Sequence, residues 1–550
     1  AKADLDLQNP GESPWQRLDA ATMEPPTFTV TRTGPAVKGH LLIANGEPCE
    51  QHVIWSGWPA GNEPFEVIVP IGIGFYEYDS ILAKGKPVTY AELVADQSAR
   101  LRAYQVPGRQ PRLFAACGYP SSTGLELHQA LGCNAAFCET PDYLYTPEAV
   151  KRYGTNTTFV YPNSTPHDPN VKKLRTESSM KDLAWNYKLI EESSATSLVN
   201  LAKNEEQQTA FRALAKAQGA NPLELLTPAA VREVAGRNLP TDALWQYVRI
   251  GDGSEAESIA NPALYFYSRY FRGWAHSEEF RKQTEEITRL YPKDRTNPGA
   301  SFWSDGYGIG LERGIDPFLC FRRGSFTAYC SENSWGRDAA AYQGPQSMSY
   351  EACLARALMK YGDAPRGTMA THLLVSGVNG YGVNPEYIPL QGLCGFAQGF
   401  DAFWYYFLAR DCSTAIFHEQ ALKGVKYVNY AIGAVEDDIL GANAKVVKAS
   451  VALGWSISTD IWDLTVHPRD QVSDLYMENN VYPMERQLMY ILLRHCQQPV
   501  DILDERDIEE GRIEGYKVYA LVGDHLGQKA AQKLIEWVKA GGTVIAVAGG

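Results

Sequence analysis

Residues 325–337 read SFTAYCSENSWGR, and this stretch decides how the rest of the chain is interpreted. A run rich in apolar and aromatic residues stops just before Glu332, and the segment from Asn333 to Gly336 then turns the backbone. We predict a buried strand that delivers Glu332 to the rim of a sheet. Barrel enzymes place their chemistry at the carboxyl ends of such strands. The alternative role is structural, as a cap on the next helix or as one partner of an ion pair.

The composition is that of a large globular protein. The chain has 550 residues, of which 45% are hydrophobic and 11% aromatic, so its length corresponds to about two to four domains. The formal charge of −13 does not favour nucleic acid as a partner, because phosphates are bound by basic surfaces. The 10 cysteines include no CxxC pair and no Cys/His cluster at zinc spacing. We therefore expect buried thiols, no metal and no cofactor.

The sequence shows no membrane-spanning segment. No stretch approaches 18 consecutive apolar residues, and the N-terminus lacks a charged segment followed by an apolar run. A chain that begins with Ala fits a processed or recombinant protein. A secreted or periplasmic location is favoured over a cytoplasmic one.

Residues 1–110 are predicted to form an N-terminal β-rich extension. After a Pro-rich lead, runs such as HLLIAN, HVIWSGW and FEVIVPIGIG are bounded by Gly and Pro and alternate with a period of two. This pattern is typical of strands.

Residues 111–430 are predicted to form an α/β domain, a (β/α)8 TIM barrel. Strand-like and helix-like segments alternate through this interval, and eight strands are the count of that barrel. The predicted strands read, in order, RLFAACGYPS, CNAAFCETPD, TTFVYPN, DALWQYVRIGDGSEAES, ASFWSDGYG, SFTAYCSENSW, MATHLLVSGVNG and FDAFWYYFL. Glu332 thus lies on the sixth strand.

The remainder is predicted to contain a second α/β domain. Residues 431–495 form a helical and linking region, and residues 496–550 begin a flavodoxin-like domain with the strand YKVYALVGDHL, the helix QKAAQKLIEWVKAG and the strand GTVIAVAGG. About three strands are present where such a sheet has about five. We therefore predict that the domain is truncated or is continued on another chain.

The segments PVDILDERDI and IEWVKAGGTVIAV resemble the glutamine-amidotransferase-like trimerisation domain of family 42 β-galactosidases, which are glycoside hydrolases with a clan A-like barrel. In the barrel, GCNAAFCE and CGFAQGFDAFWYYF resemble the second-strand segment and the segment leading into the eighth strand. The resemblance implies a carbohydrate substrate and a homo-oligomer, either dimer or trimer. Two departures stand out. The fourth strand ends in GDGSE where those enzymes carry Asn-Glu, and the seventh ends in VSGVNG with no acid.

Glycosidic cleavage commonly uses two carboxyl groups, and we predict Glu332 and Glu255 as the catalytic pair. Trp335 can keep the Glu332 carboxyl dry, which raises the pKa of an acid catalyst. Glu255 follows a Gly-rich turn that lets substrate approach the backbone, and its alternative role is that of a helix N-terminal acid. The predicted substrate-binding residues lie near strand ends or on a rim loop: Glu139, Asp252, Trp303, Asp305, Asn333, Trp335, Asn379, Tyr381 and Trp404.

The sequence therefore predicts a glycoside hydrolase that acts on an oligo- or polysaccharide. The missing acid on the seventh strand leaves a rival open, a non-catalytic carbohydrate-binding or assembly protein on a decayed barrel. A polysaccharide lyase is a third possibility.

Overall fold

A computed structural model describes part of the chain: residues 2–6, 27–31, 39–44, 50–55, 65–68, 76–77, 90–117, 125–138, 157–160, 184–189, 196–293, 295–297, 314–331, 347–360, 369–375, 386–406, 419–440, 447–466 and 481–547. The chain divides into two compact units. Unit 1 comprises residues 1–186, 334–341 and 370–444, and unit 2 comprises residues 187–333, 342–369 and 445–550.

The strands and helices are as follows. The strands are β1 (Lys2–Asp6), β2 (Thr27–Thr31), β3 (Gly39–Ala44), β4 (Glu50–Trp55), β5 (Phe65–Ile68), β6 (Tyr76–Glu77), β7 (Phe114–Cys117), β8 (Ala135–Cys138), β9 (Thr157–Val160), β10 (Ala184–Lys188), β11 (Arg295–Asn297), β12 (Tyr329–Ser331), β13 (Met369–Leu374), β14 (Ala402–Tyr406), β15 (Val451–Trp455), β16 (Val500–Asp504), β17 (Val518–Leu521) and β18 (Thr543–Ala546). The α-helices are α1 (Tyr90–Ala103), α2 (Leu125–Ala130), α3 (Leu198–Ala202), α4 (Glu205–Ala217), α5 (Pro228–Val234), α6 (Thr241–Leu244), α7 (Glu255–Ala260), α8 (Pro262–Leu290), α9 (Pro317–Arg322), α10 (Ser347–Met359), α11 (Tyr387–Gln398), α12 (Glu419–Ile439), α13 (Ile457–Val466), α14 (Val481–His495), α15 (Glu505–Glu509) and α16 (Gln528–Lys539). Short 3₁₀ helices span Pro222–Leu225, Trp245–Tyr247 and Arg512–Gly515.

The N-terminal strands form two small sheets in unit 1. One has the order β1-β2-β5 and the other the order β3-β4-β6. The pairs β2–β5 and β3–β4 are antiparallel, whereas β1–β2 is parallel. Strands are therefore present in the segment where the sequence predicts them.

A parallel sheet organises the rest of unit 1. Its strands follow the order β9-β8-β7-β14-β13, and each of these neighbouring pairs is parallel. The predicted first, second, third, seventh and eighth strands of the barrel interval are thereby confirmed as strands. The eighth, β14, pairs in parallel with the first, β7.

Helix α12 is hydrogen-bonded to the residues that directly precede β7. The buried carboxylate of Glu436 accepts the backbone N–H of Arg112 at 2.9 and 3.0 Å and that of Leu113 at 3.1 Å. At Gly433 an added Cβ would lie 1.9 Å from the carbonyl oxygen of Arg109, so only glycine permits this approach. These contacts fix the amino end of β7.

The predicted fourth strand is wrong. Its segment forms α6, a 3₁₀ turn and an extended loop that reaches Glu255 at the start of α7. Val248 and Ile250 are buried in a helical cluster with Phe211 and Phe271, and this tertiary packing overrides the local β propensity. A strand that the sequence analysis missed, β10, lies instead at residues 184–188, and the predicted fifth strand falls outside the described residues. The predicted sixth strand is confirmed only over the three residues of β12.

The long helix α8 carries a buried histidine that makes stability depend on pH. His276 is 4% exposed, and its ring lies 4.7 Å from that of Phe280. Burial lowers the pKa of His276 from 6.5 to about 4. Because the unfolded chain binds this proton more readily, the contribution to stability is complete above pH 6.5 and is lost as the pH falls toward 4.

The free energy of unfolding of the native chain should fall between pH 7 and pH 4.5. In the variant His276→Phe we expect this fall to be smaller by about 2 to 3 kcal/mol. Urea unfolding at both pH values measures the difference. His495, which is exposed, supplies the matched control variant His495→Phe. Equal pH slopes for native chain and His276→Phe would contradict the prediction.

The second parallel sheet lies in unit 2 and follows the order β16-β15-β17-β18. Of these four strands, β15 comes first in the chain and occupies an inner position. Numbered by chain order, the strands run 2-1-3-4 across the sheet, as in the flavodoxin-like arrangement. The predicted assignment of residues 431–495 to helices and linker is wrong at β15. All five of its residues are buried, and a fully apolar run does not reveal its secondary structure through periodicity. The helices predicted on either side of it are confirmed as α12 and α14.

Both faces of the sheet are covered along β15, β16 and β17, whereas the edge strand β18 is largely exposed. On one face Ala452, Leu503 and Tyr519 share a buried cluster with Leu534 and Trp537 of α16. The alternate residues of the same strands point to the other face and are equally buried: Leu453, Ile502 and Ala520.

Within the described ranges no helix is long and apolar enough to cross a membrane.

Candidate functional site

Two of the predicted carboxylates directly follow observed strands. Strand β8 ends at Cys138 and the next residue is Glu139, while β12 ends at Ser331 and the next residue is Glu332. The side chains of both, together with Trp303, Asp305, Asn333, Trp335, Asn379 and Tyr381, lie outside the described residues.

The strand that precedes Glu332 is firmly anchored in unit 2. The hydroxyl of Tyr329 donates to Glu351 Oε2 on α10 at 2.6 Å, and both residues are buried. Just before the strand, the N–H groups of Thr327 and Ala328 both lie within reach of the carbonyl oxygen of Thr296, at 2.8 and 2.9 Å. Such a locked strand can hold the following side chain within the tight tolerance that catalysis needs.

The segment from Asp252 to Glu257 forms a helix N-terminus. The side chain of Ser254 caps α7 by accepting the N–H of Glu257 at 3.1 Å, and Asp252 Oδ1 accepts the N–H of Ser254 at 2.8 Å. Glu255, the predicted catalytic partner, is exposed in the first turn of α7. An acid there is favoured by the helix dipole, which is the structural alternative for this residue.

Glu257 is the ionisable group of this loop that the sequence analysis did not single out. Its carboxylate accepts the N–H of Gly253 at 2.9 Å and that of Asp252 at 3.2 Å. Burial raises the pKa of Glu257, while the hydrogen bond from Gly253 opposes the shift. The sequence signal was present, because residues 254–257 read SEAE and match the S-x-x-E capping box.

Trp404 occupies the middle of β14. Its side chain is 3% exposed, so the structure presents no open ring face on which a sugar could stack. This burial is typical of a packing role in the interior of unit 1, and the predicted contact of Trp404 with substrate stays a prediction.

The described residues contain no group of three or more His, Cys, Asp or Glu side chains placed to hold a metal ion. The expectation of buried thiols is confirmed for Cys320 and Cys330. Burial raises the pKa of the Cys353 thiol, also free and buried, to about 11, so this cysteine is a poor nucleophile.

Comparison with known proteins relates the chain to others through its fold. No protein-family model matches the sequence, and no curated protein does. Among solved structures, a β-galactosidase from the psychrophilic Marinomonas ef1 superposes with a TM-score of 0.50 at 12% identity, over 78% of this chain and 75% of that chain. A cold-adapted β-galactosidase from a Rahnella species gives a TM-score of 0.49 at 12% identity, over 80% and 72% of the two chains. An exo-β-1,4-mannosidase from an Opitutaceae bacterium gives 0.39 at 12% identity, over 81% and 79%.

The chain therefore shares a mixed α/β fold with the Marinomonas β-galactosidase at low sequence identity. The relation is one of fold. Catalytic roles for particular residues have to be argued from this chain.

Proposed function

We propose that this protein is a glycoside hydrolase whose catalytic carboxylates lie at the carboxyl end of a (β/α)8 barrel. The observation that carries the proposal is the position of Glu332 directly after the anchored strand β12, in a chain that shares its fold with a β-galactosidase. The parallel pairing of β14 with β7 supports a closed barrel. Strand ends are where barrel enzymes place catalytic groups.

Hydrolysis by this route needs two carboxyl groups with different proton states. One donates a proton to the departing glycosidic oxygen, and the other attacks the sugar carbon or activates water. A separation of about 5 Å leads to retention of the anomeric configuration, and about 6.5–9.5 Å leads to inversion. Glu332 is the first of the two groups in this proposal.

The second carboxylate is Glu255 by the sequence argument and Glu139 by strand position. Strand β8 leads directly into Glu139, whereas the segment before Glu255 is a helix-capping loop. We expect Glu139→Gln to lower kcat by about 100-fold or more, the range of general acid–base effects, and Glu255→Gln to change it by less than about threefold. Steady-state hydrolysis of one aryl-glycoside by both variants decides between them, and the reverse outcome restores the pair Glu332 and Glu255.

The substrate class is tested by a screen. Aryl-glycosides of galactose, mannose and glucose report turnover through the released phenol, and plant and algal polysaccharides report it through new reducing ends. We expect turnover of at least one neutral substrate. Products with new ultraviolet-absorbing unsaturated ends would identify a lyase instead.

The second candidate is a carbohydrate-binding or assembly protein without catalysis. The observation that favours it is that β13, now established as a strand, is followed by VSGVNG, which contains no acid. Saccharide binding without turnover of any substrate in the screen would support this candidate. A homo-oligomer, dimer or trimer, is part of the proposal through the C-terminal resemblance, and light scattering that shows a monomer would count against it.

A further inference from the structure

A cleft of about 680 Å³ opens at the carboxyl edge of the second parallel sheet, within unit 2. We call it the sheet-edge cleft and define it by Phe266, Tyr267, Trp462, Glu505, Asp524 and Gln528. In the chain, β15 leads to β16 on one side and the chain then returns to β17 on the other. Ligands of open α/β sheets bind at such a switch point, and the volume is that of an ordinary small-molecule site.

The floor of the cleft is a buried carboxylate satisfied by neutral donors. Glu505, 4% exposed, accepts the N–H of Ser458 at 2.8 Å and that of Gly527 at 2.9 Å. The hydroxyls of Ser456 and Ser458 lie 2.6 and 2.9 Å from its oxygens. At Gly527 an added Cβ would lie 2.7 Å from Glu505 Oε2, so the backbone approaches the carboxylate closely.

This carboxylate disfavours an anionic ligand in the cleft. Backbone N–H groups at the carboxyl edge of such sheets are the donors that bind phosphate, and here two of them are occupied by Glu505. Acidic residues also outnumber basic ones along the lining, since Glu509, Glu510 and Asp524 join Glu505 while Lys529 and Arg506 oppose them. Arg506 is further engaged with Asp504 at 2.9 Å and with Asp316.

The remaining walls suit a ligand with one apolar face and many hydroxyls. Helix α8 contributes Phe266 and Tyr267, α13 contributes Trp462, and all three are half-buried. Across the cleft, Asp524 and Gln528 are exposed hydrogen-bonding groups. Flat rings pack on the CH face of a sugar, while carboxylate and amide groups bind its hydroxyls.

We propose that the sheet-edge cleft binds a neutral saccharide unit, separately from the hydrolytic site. The choice of a saccharide rests on the proposed glycosidase function, whereas the preference against anionic ligands rests on Glu505. Bound there, a saccharide would hold a longer substrate chain on the protein without reacting.

Calorimetric titration of the full chain tests the proposal. Galactobiose and mannobiose are the saccharide probes and orthophosphate is the anionic probe, with Glu332→Gln present to prevent turnover. We expect at least one saccharide to bind, and Asp524→Ala combined with Gln528→Ala to weaken that binding component about tenfold or more, the loss of about 1.4 kcal/mol. Gln532→Ala, an exposed position on the same helix outside the cleft, is the matched control and should leave the affinity unchanged.

A second variant, Tyr267→Ala, tests the aromatic wall and should weaken the same component. The proposal would be overturned if these variants gave the same isotherms as the control Gln532→Ala. It would also be overturned if orthophosphate competed with the saccharide for the cleft. Hydrolysis of the same saccharides by the native chain, with Glu332 intact, is recorded in parallel. Cleft binding without turnover sinks the proposed function and leaves this inference standing, and turnover without cleft binding does the reverse.

Discussion

Replacing Glu332 by Gln is expected to lower kcat for glycoside hydrolysis by about 100- to 10,000-fold, because the amide can neither donate a proton to the leaving oxygen nor act as a carboxylate. The fold should persist. Glu332 follows a strand held by the bond from Tyr329 to Glu351, which this substitution does not touch. Aryl-glycoside turnover measures the loss, and thermal unfolding checks that the variant is folded.

Glu514→Gln is the matched control, since Glu514 is exposed in a 3₁₀ turn of the same unit. Its activity should equal that of the native chain. Native-like turnover by a folded Glu332→Gln variant would remove Glu332 from the mechanism, whatever the other carboxylates do.

Replacing Asp507 by Asn is expected to lower the free energy of unfolding by about 3 to 5 kcal/mol, the cost of breaking a buried ion pair. Asp507 is fully buried on α15. Its carboxylate pairs with Arg322 at 3.1 Å, with Arg512 at 3.4 Å and with the ammonium group of Lys360. Asparagine keeps the shape but removes one buried negative charge from this cluster, and Arg322 keeps its pair with the buried Asp504 at 3.1 Å. Urea unfolding of the variant measures the effect.

Lys360 separates the charge effect from a packing defect. Burial lowers the pKa of Lys360, and Asp507 opposes that shift. In Asp507→Asn the charge of Lys360 has lost the nearby carboxylate that stabilised it. Adding Lys360→Met should therefore cost less than it does in the native chain. We expect a double-mutant cycle to give an interaction energy of about 1 to 3 kcal/mol. Additive losses would show that the ion pair contributes nothing.

Asp242→Asn is the control for this series. Asp242 pairs with Lys216, but its side chain is 86% exposed. Surface pairs contribute about 0 to 1 kcal/mol, so this change should be nearly neutral. A similar loss from both aspartates would contradict the argument from burial.

Local sequence pattern was sufficient for the elements whose ends carry clear breaks. Strands β7, β8, β13 and β14 were predicted because short apolar runs are bounded there by turn residues, and α16 because its apolar residues recur at helical spacing and a glycine follows. The position of Glu332 after a strand also follows from sequence, because apolar character ends at a definite residue.

Tertiary structure alone decided which short apolar segments became strands and which residues came together. The run VRI packs in a helical core, and VALGW forms an inner strand of a sheet. Segments of so few residues have no periodicity from which either outcome could be predicted. The carboxylate of Glu505 depends on donors from residues 456–458 and 527, and Asp507 on Lys360. Such contacts join residues far apart in the chain, where no local pattern records the partner. The sequence was therefore sufficient to predict that Glu332 follows a strand. Only the tertiary structure showed that Asp507 forms buried ion pairs and that Glu505 occupies N–H groups that could otherwise bind an anion.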